Sequence, residues 1–264
     1  VKAVIAGESL SKYPGSIPEV LANLTDAAKQ AVSQLPEGTL EDQITLATAL
    51  NVYLTIERLI ENSPIVRDHI VKDKLQIHGS VYDIFKGEML WLGQLPNQEE
   101  YVQVPLPLAN WKDSTYARAT DWQLADPSGA SDPTRSKAAG DVLRKLQDGN
   151  QRFLRGAPTA SSSKASSLER VKDPLAIIIG TADAKVSCEK AFDVNPGELI
   201  VHNCMANIAG KEGGTLLSSI EYAVVRWQPS VIIVLGETDC VGIKTALEQV
   251  QGHDVKTAMW RVLE

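Results

Sequence analysis

The chain has 264 residues, 44% hydrophobic and 22% charged, values of an ordinary packed globular protein that exclude collagen-like, disordered and mucin-like chains. Its net charge of -7 leaves no electrostatic footprint for phosphate backbones or anionic lipid, so neither nucleic acid nor a membrane surface is an expected partner. The longest apolar runs, such as Val231 to Leu235 and Ala176 to Ile179, are strand-length, far below the ~20 residues of a spanning helix, so no membrane span is expected.

In chain order, Val1 to Gly7 (VKAVIAG) reads as a buried parallel strand that turns at its carboxyl end. After Pro18, Val20, Leu21, Leu24, Ala28, Ala31 and Val32, with Ile17 ahead of them, recur at helical steps and predict a helix that Leu35-Pro36-Glu37-Gly38 breaks. A second helix is expected from Leu40 to Ile60, and a short third from Pro64 to Val71, with Pro in its first turn. Leu75 to Ile84 (LQIHGSVYDI) predicts a strand bulged at its glycine, which Lys86-Gly87 turns back into Glu88 to Leu92 as a hairpin.

From 106 to 137 periodicity is lost and Pro, Asp, Ser and Gly collect, so a linker is placed there between an N-terminal unit, 1–105, and a C-terminal one, 138–264. A helix is expected from Ala138 to Arg155, followed by a polar loop, PTASSSKASS. Pro174 to Gly180, Glu198 to His202 and Ser230 to Gly236 read as parallel strands, with Leu216 to Trp227 as the crossover helix that parallel pairing demands. The fold class is therefore α/β, with a mostly parallel central sheet flanked by helices.

Cys188, Cys204 and Cys240 form an odd set without C-x-x-C spacing, which predicts free thiols in a reducing compartment. Neither an initiator Met nor a charged-then-apolar leader opens the chain, so no targeting segment is read in it and localisation stays unassigned. His69, His78, His202 and His253 are scattered and expected in core or surface roles, and Cys188 and Cys204 as small packed side chains. Gly213-Gly214-Thr215 is expected to start a helix, since no P-loop lysine pattern accompanies it.

Val1 to Ser11 (VKAVIAGESLS) aligns with Ser230 to Cys240 (SVIIVLGETDC), which brings two strand-Gly-Glu units into register a domain's length apart. At this point the chain resembles the β-class carbonic anhydrases. The resemblance rests on Gly180-Thr181-Ala182-Asp183-Ala184-Lys185, on PGELIVHNCMAN from Pro196 to Asn207, on Ser219 to Val224 (SIEYAV), and on Gly236-Glu237-Thr238-Asp239-Cys240. The hairpin LQIHGSVYDIFKGEMLWL from Leu75 to Leu92 resembles the family's closing strands. The resemblance implies two tandem repeats, the C-terminal half of a first in 1–105 and the N-terminal and central part of a second in 138–264, each with a hairpin in its C-terminal half.

The resemblance also implies where a zinc site would stand. The family binds zinc through two cysteines and a histidine, with an Asp-Arg dyad beside the metal. Those positions fall here on Thr181, Glu237 and Cys240, with Asp183 and Lys185 as the dyad; in the earlier copy the last motif falls on Glu8 and Ser11. Only Cys240 and Asp183 are unchanged. Zinc prefers thiolate and imidazole, and a neutral threonine hydroxyl is a poor substitute for a thiolate. Lys185 keeps a charge able to pair with Asp183, but as a point rather than a planar fork. Asp183, Glu237 and Cys240 either converge as an altered metal site, or Glu237 is a solvated or Lys-paired carboxylate and Cys240 a packed thiol beside a collapsed pocket.

The leading expectation is a non-catalytic, carbonic-anhydrase-like structural or assembly subunit, cut from a tandem-repeat precursor. No cofactor is expected, and zinc only if the altered site takes metal. The alternatives are a carbon dioxide hydratase with an altered metal site and a bicarbonate- or anion-sensing domain. The expected partner is another protein or the paired repeat, within a larger assembly. Trp111, Tyr116 and Trp122, aromatic residues in an otherwise polar linker, are the candidates for docking it. Half-domains of the two repeats are expected to be completed by each other or by neighbouring chains.

Overall fold

The computed structural model describes residues 17–103, 135–160, 174–209 and 214–251. The first helix, α1 (Ile17–Gln34), buries Leu21, Leu24, Ala27, Ala28 and Ala31 on one stripe. Helix α2 (Leu40–Asn62) opens with a reciprocal cap: the Thr39 amide donates to Asp42 Oδ2 at 3.1 Å, and the Asp42 amide donates to Thr39 Oγ1 at 3.2 Å. Ser63 closes α2 through its amide and caps α3 (Pro64–Val71) through its hydroxyl, which accepts from the Val66 amide. Strand β1 (Gln76–Asp83) then turns at Gly87, φ 76°, into β2 (Glu88–Gly93), with a register shift between Gly79 and Ser80 where the sequence predicts a bulge. Helix α4 (Gln98–Gln103), which periodicity did not announce, ends this stretch.

Helix α5 (Arg135–Leu154) begins at Arg135 rather than Ala138, so the expected linker overlaps its first turn. Arg, Lys and Ala are good helix formers and no proline stands between Pro133 and the end of the helix, which lets it start inside the polar stretch. Strands β3 (Ala176–Thr181), β4 (Leu199–Cys204) and β5 (Val231–Glu237) lie where the apolar runs predict them. Short α6 (Cys188–Ala191) follows β3, α7 (Thr215–Trp227) is the crossover between β4 and β5, and α8 (Val241–Val250) follows β5.

All five strands form one sheet, ordered β2-β1-β5-β3-β4, in which only β2 is antiparallel. Because β5 lies between β1 and β3, α7 has to carry the chain from β4 past β3 to reach β5. β3 and β5 are buried along their whole length, which is why both read as unbroken apolar runs. Helices α2, α3 and α7 cover one face around Val52, Ile56, Ile77, Ile177, Ile220 and Val234. Helices α5 and α6 cover the other around Leu146, Ile178, Phe192 and Ile233. A third cluster packs α1 and α2 on α8 through Leu24, Ala28, Ala47, Ile243 and Leu247.

Two close approaches fix these layers. A Cβ at Gly79 would lie 2.8 Å from Val52 Cγ1, and one at Gly236 2.9 Å from Val52 Cγ2, so α2 sits on β1 and β5 only because both strands have a glycine under it. On the opposite face Gly149 of α5 lies against the Phe192 carbonyl, where a Cβ would come within 1.8 Å of the oxygen. Beside it, buried Asp193 accepts from the amides of Thr159 (2.9 Å) and Ala160 (2.8 Å), from the Thr159 hydroxyl and from Arg152 Nε (2.5 Å). This carboxylate ties the chain leaving α5 to the loop after α6.

Val1 to Gly7, Glu8, Ser11, Trp111, Tyr116, Trp122, Gly213 and His253 lie outside the described residues. Among the described residues no helix is long and apolar enough to cross a membrane.

Candidate functional site

The candidate site forms at the carboxyl ends of β3 and β5, which neighbour each other in the sheet. Thr181 is the last residue of β3 and Glu237 the last of β5, both buried. Thr238-Asp239-Cys240 then turns the chain into α8, with Asp239 at φ 67° and buried Cys240 at the helix start. β1 braces that turn: the Thr238 amide donates to the Tyr82 carbonyl at 2.9 Å and the Ile84 amide to the Thr238 hydroxyl at 3.1 Å.

The structure brings Asp183, Glu237 and Cys240 into mutual electrostatic range. Burial raises the Glu237 carboxyl above the ordinary carboxylate range, and the Asp183 charge raises it further, against the Lys185 amide that donates to it and the Lys185 charge. Glu237 is therefore not the solvated carboxylate of one expectation, because β5 carries its end into the protein. The Cys240 thiol is pushed up to about 11 by burial, with Asp183 and Glu237 adding to the rise and the Ile243 and Gly242 amides opposing it. At neutral pH it is a protonated thiol.

Thr181 donates its hydroxyl hydrogen bond to Asp183 Oδ1. Lys185 does not pair with Asp183: its Nζ lies 3.6 Å from Asp239 Oδ2, and Lys244 Nζ also contacts Asp239. The left-handed turn at Asp239 places this carboxylate where both lysines reach it, so the cationic partner of the old dyad position is drawn to the surface. Between the strand ends lies a cavity of about 20 Å³, room for about one water, walled by Tyr82, Thr181, Cys188, Asn203, Leu235 and Glu237 among others. Sequence reasoning missed Tyr82 and Asn203; the hairpin motif that carries Tyr82 and the strand that carries Asn203 were the signals available.

Cys188 is buried and Cys204 half-buried, both free, with thiols pushed up to about 12 by burial, as small packed side chains. Burial lowers the His69, His78 and His202 pKa values, and none of the three lines the cavity.

A family model described as carbonic anhydrase matches residues 1–89 and 176–264. The chain belongs to the β-class carbonic anhydrase family. The two matched segments agree with the tandem form implied by the repeated strand-Gly-Glu unit. Similar relatives include a carbonic anhydrase of Mycolicibacterium smegmatis, 31% identical over 121 residues that cover 45% of this chain and 57% of the relative. Carbonic anhydrase 2 of Mycobacterium tuberculosis is 33% identical over 107 residues, 39% of this chain and 50% of the relative. A carbonic anhydrase of Pseudomonas aeruginosa is 36% identical over 101 residues, 37% and 46% respectively. The chain spans about half the length of the curated relatives it matches.

Family membership implies zinc, so the fit of the donors has to be tested. The positions supply a neutral hydroxyl committed to Asp183, a protonated thiol and a carboxylate raised by burial. Among the described residues no group of three or more His, Cys, Asp or Glu side chains is arranged to hold a metal ion. Zinc takes thiolate and imidazole at short distance and displaces the thiol proton on binding, and of the three ligand positions only Cys240 keeps a donor of that kind.

Proposed function

We propose that this chain is a carbonic-anhydrase-like structural or assembly subunit that does not hydrate carbon dioxide. One observation supports the reading above the others: at the three positions where the family places its zinc ligands stand Thr181, buried Glu237 and a Cys240 thiol raised to about 11. Hydration requires a metal that lowers the pKa of bound water to ~7, and a site that keeps one of the family's three ligands, Cys240, lacks the usual donor set for holding it. The sheet, crossover helix and hairpin persist around the altered site. What persists is the fold, and the proposed partner-docking residues are Trp111, Tyr116 and Trp122 of the stretch 106–137.

The test is zinc content of the purified chain together with stopped-flow carbon dioxide hydration. The reading expects less than stoichiometric zinc and hydration at the buffer rate. Stoichiometric metal that disappears in Cys240→Ala would overturn it in favour of an altered-site hydratase. That second reading draws on the electrostatic crowding of Asp183, Glu237 and Cys240, three groups that a cation would relieve.

A further inference from the structure

The cavity between the strand ends takes in only two of the three ligand positions. Thr181 and Glu237 form part of its wall, whereas Cys240 packs with Leu24, Ala28 and Ile243 in the core of α1, α2 and α8 and is not part of that wall. What faces the cavity is oxygen. The Thr181 hydroxyl commits its hydrogen to Asp183 and is left with lone pairs to offer. Glu237 accepts from the Lys185 amide and, as a carboxylate, keeps room for further donors. Tyr82 is 7% exposed, and its phenol has no hydrogen-bond partner among the described residues. Asn203 Oδ1 lies close over Gly180, where a Cβ would come within 2.8 Å of it, so the amide oxygen reaches the cavity wall only because that strand position is a glycine.

The charge around this space is negative. The Asp183 carboxylate acts on Glu237, and the Glu237 carboxylate acts on the Tyr82 phenol. No Lys, Arg or His stands among the described wall residues, and Lys185 reaches away to Asp239. An anion entering here would meet two carboxylates, and a water would leave their charge uncompensated. A buried charge is costly until a counter-charge with matching hydrogen bonds reaches it. Apolar Met89 and Val186 complete the wall, and a low local dielectric strengthens any such pairing. Room for about one water rules out a divalent cation that keeps several waters of its own.

We infer that this cavity is a site for a small monovalent cation that brings its own hydrogen-bond donors, the ammonium ion. Ammonium is the size of a water molecule, donates in every direction and has no lone pair, which complements a wall where Thr181, Glu237, Tyr82 and Asn203 all present oxygen. The inference rests on the non-catalytic reading above in that no zinc claims Glu237, and it gives the altered site an occupant.

The experiment follows the thermal midpoint of the full chain at pH 7 during titration with ammonium chloride, potassium chloride or tetramethylammonium chloride at matched ionic strength. The expected result is a saturable rise with ammonium that neither other salt gives, as binding to the native state alone requires. Tyr82→Phe should raise the half-saturating ammonium concentration about tenfold, the worth of one hydrogen bond to a charged group. Glu237→Gln should abolish the rise, with circular dichroism checking that both variants fold. An equal rise with potassium overturns the inference as selection by size and charge alone, and an equal rise with tetramethylammonium overturns it as a general salt effect. Absence of any rise, or a rise that survives in Glu237→Gln, overturns it as well. Zinc content is read on the same preparations. Stoichiometric zinc with the ammonium response intact sinks the non-catalytic reading alone, and a lost response without zinc sinks the ammonium site alone.

Discussion

Asp193 and Glu237 are both carboxylates taken out of water, one behind α6 and the other at the end of β5, and they respond in opposite directions. Burial raises both, but Asp193 accepts from the Thr159 and Ala160 amides, Arg152 and the Thr159 hydroxyl, and these hold it at about 2. Glu237 meets one backbone amide, that of Lys185, and the negative charge of Asp183, and its pKa rises. A buried carboxylate stays ionised where donors converge on it, and loses its charge more readily where another acid is its neighbour. The first arrangement is a structural tie; the second is left where the family places a metal ligand.

The largest effect that separates the two is expected from Asp193→Ala. It strands Arg152 and two amides, and should cost about 3 kcal/mol or more in urea unfolding. A loss below ~1 kcal/mol would make the tie an ordinary surface pair. An acid titration of stability should then show the Asp193 contribution, about 2 kcal/mol, present above 3.8 and lost as pH falls through about 2, because its folded pKa is depressed. In the Asp193→Asn variant that acid-side slope should flatten.

Glu237 should behave with the opposite sign. Its folded pKa is raised, so the native state holds the proton longer and stability falls as pH rises from 4.5 through the raised folded value. Glu237→Gln should remove this fall and gain about 1 kcal/mol at pH 7, measured by thermal or urea unfolding. A destabilised variant at pH 7 would mean that the ionised carboxylate is better served than its neighbours indicate. The smallest change is expected from Lys185→Ala: its pair with Asp239 is largely exposed, so stability should move by less than ~0.5 kcal/mol, with the zinc content unaltered.

Much of the scaffold was legible because local pattern and tertiary burial agree. β3 and β5 are apolar on both faces and therefore read as unbroken runs, and Gly79 announced the bulge that the β1–β2 register shows. The capped starts of α2 and α3 follow from Thr39 and from Ser63-Pro64. Helix α8 carries Ile243, Ala246, Leu247 and Val250 at helical spacing, a pattern that starts directly after the turn at Cys240. The pairing of β1 with β5 is different in kind: no local periodicity states which distant strand β1 will meet. At the site, sequence named Thr181, Asp183, Glu237 and Cys240, but the partner of Lys185 depended on the left-handed turn at Asp239, which side-chain spacing does not encode.

Val52 straddles Gly79 and Gly236, and this geometry restricts the order in which substitutions can accumulate. A side chain at either glycine meets a Val52 methyl group at under 3 Å, so enlarging a strand position first damages the packing of α2 on the sheet. Val52→Ala opens space beneath the helix at the cost of a cavity, after which an alanine at one glycine position refills part of it. The three sites are thus epistatic, and the pair Val52→Ala with Gly236→Ala should be less destabilising than the sum of the single changes. The Thr48 methyl, 3.0 Å from a Cβ at position 236, limits how complete that rescue is.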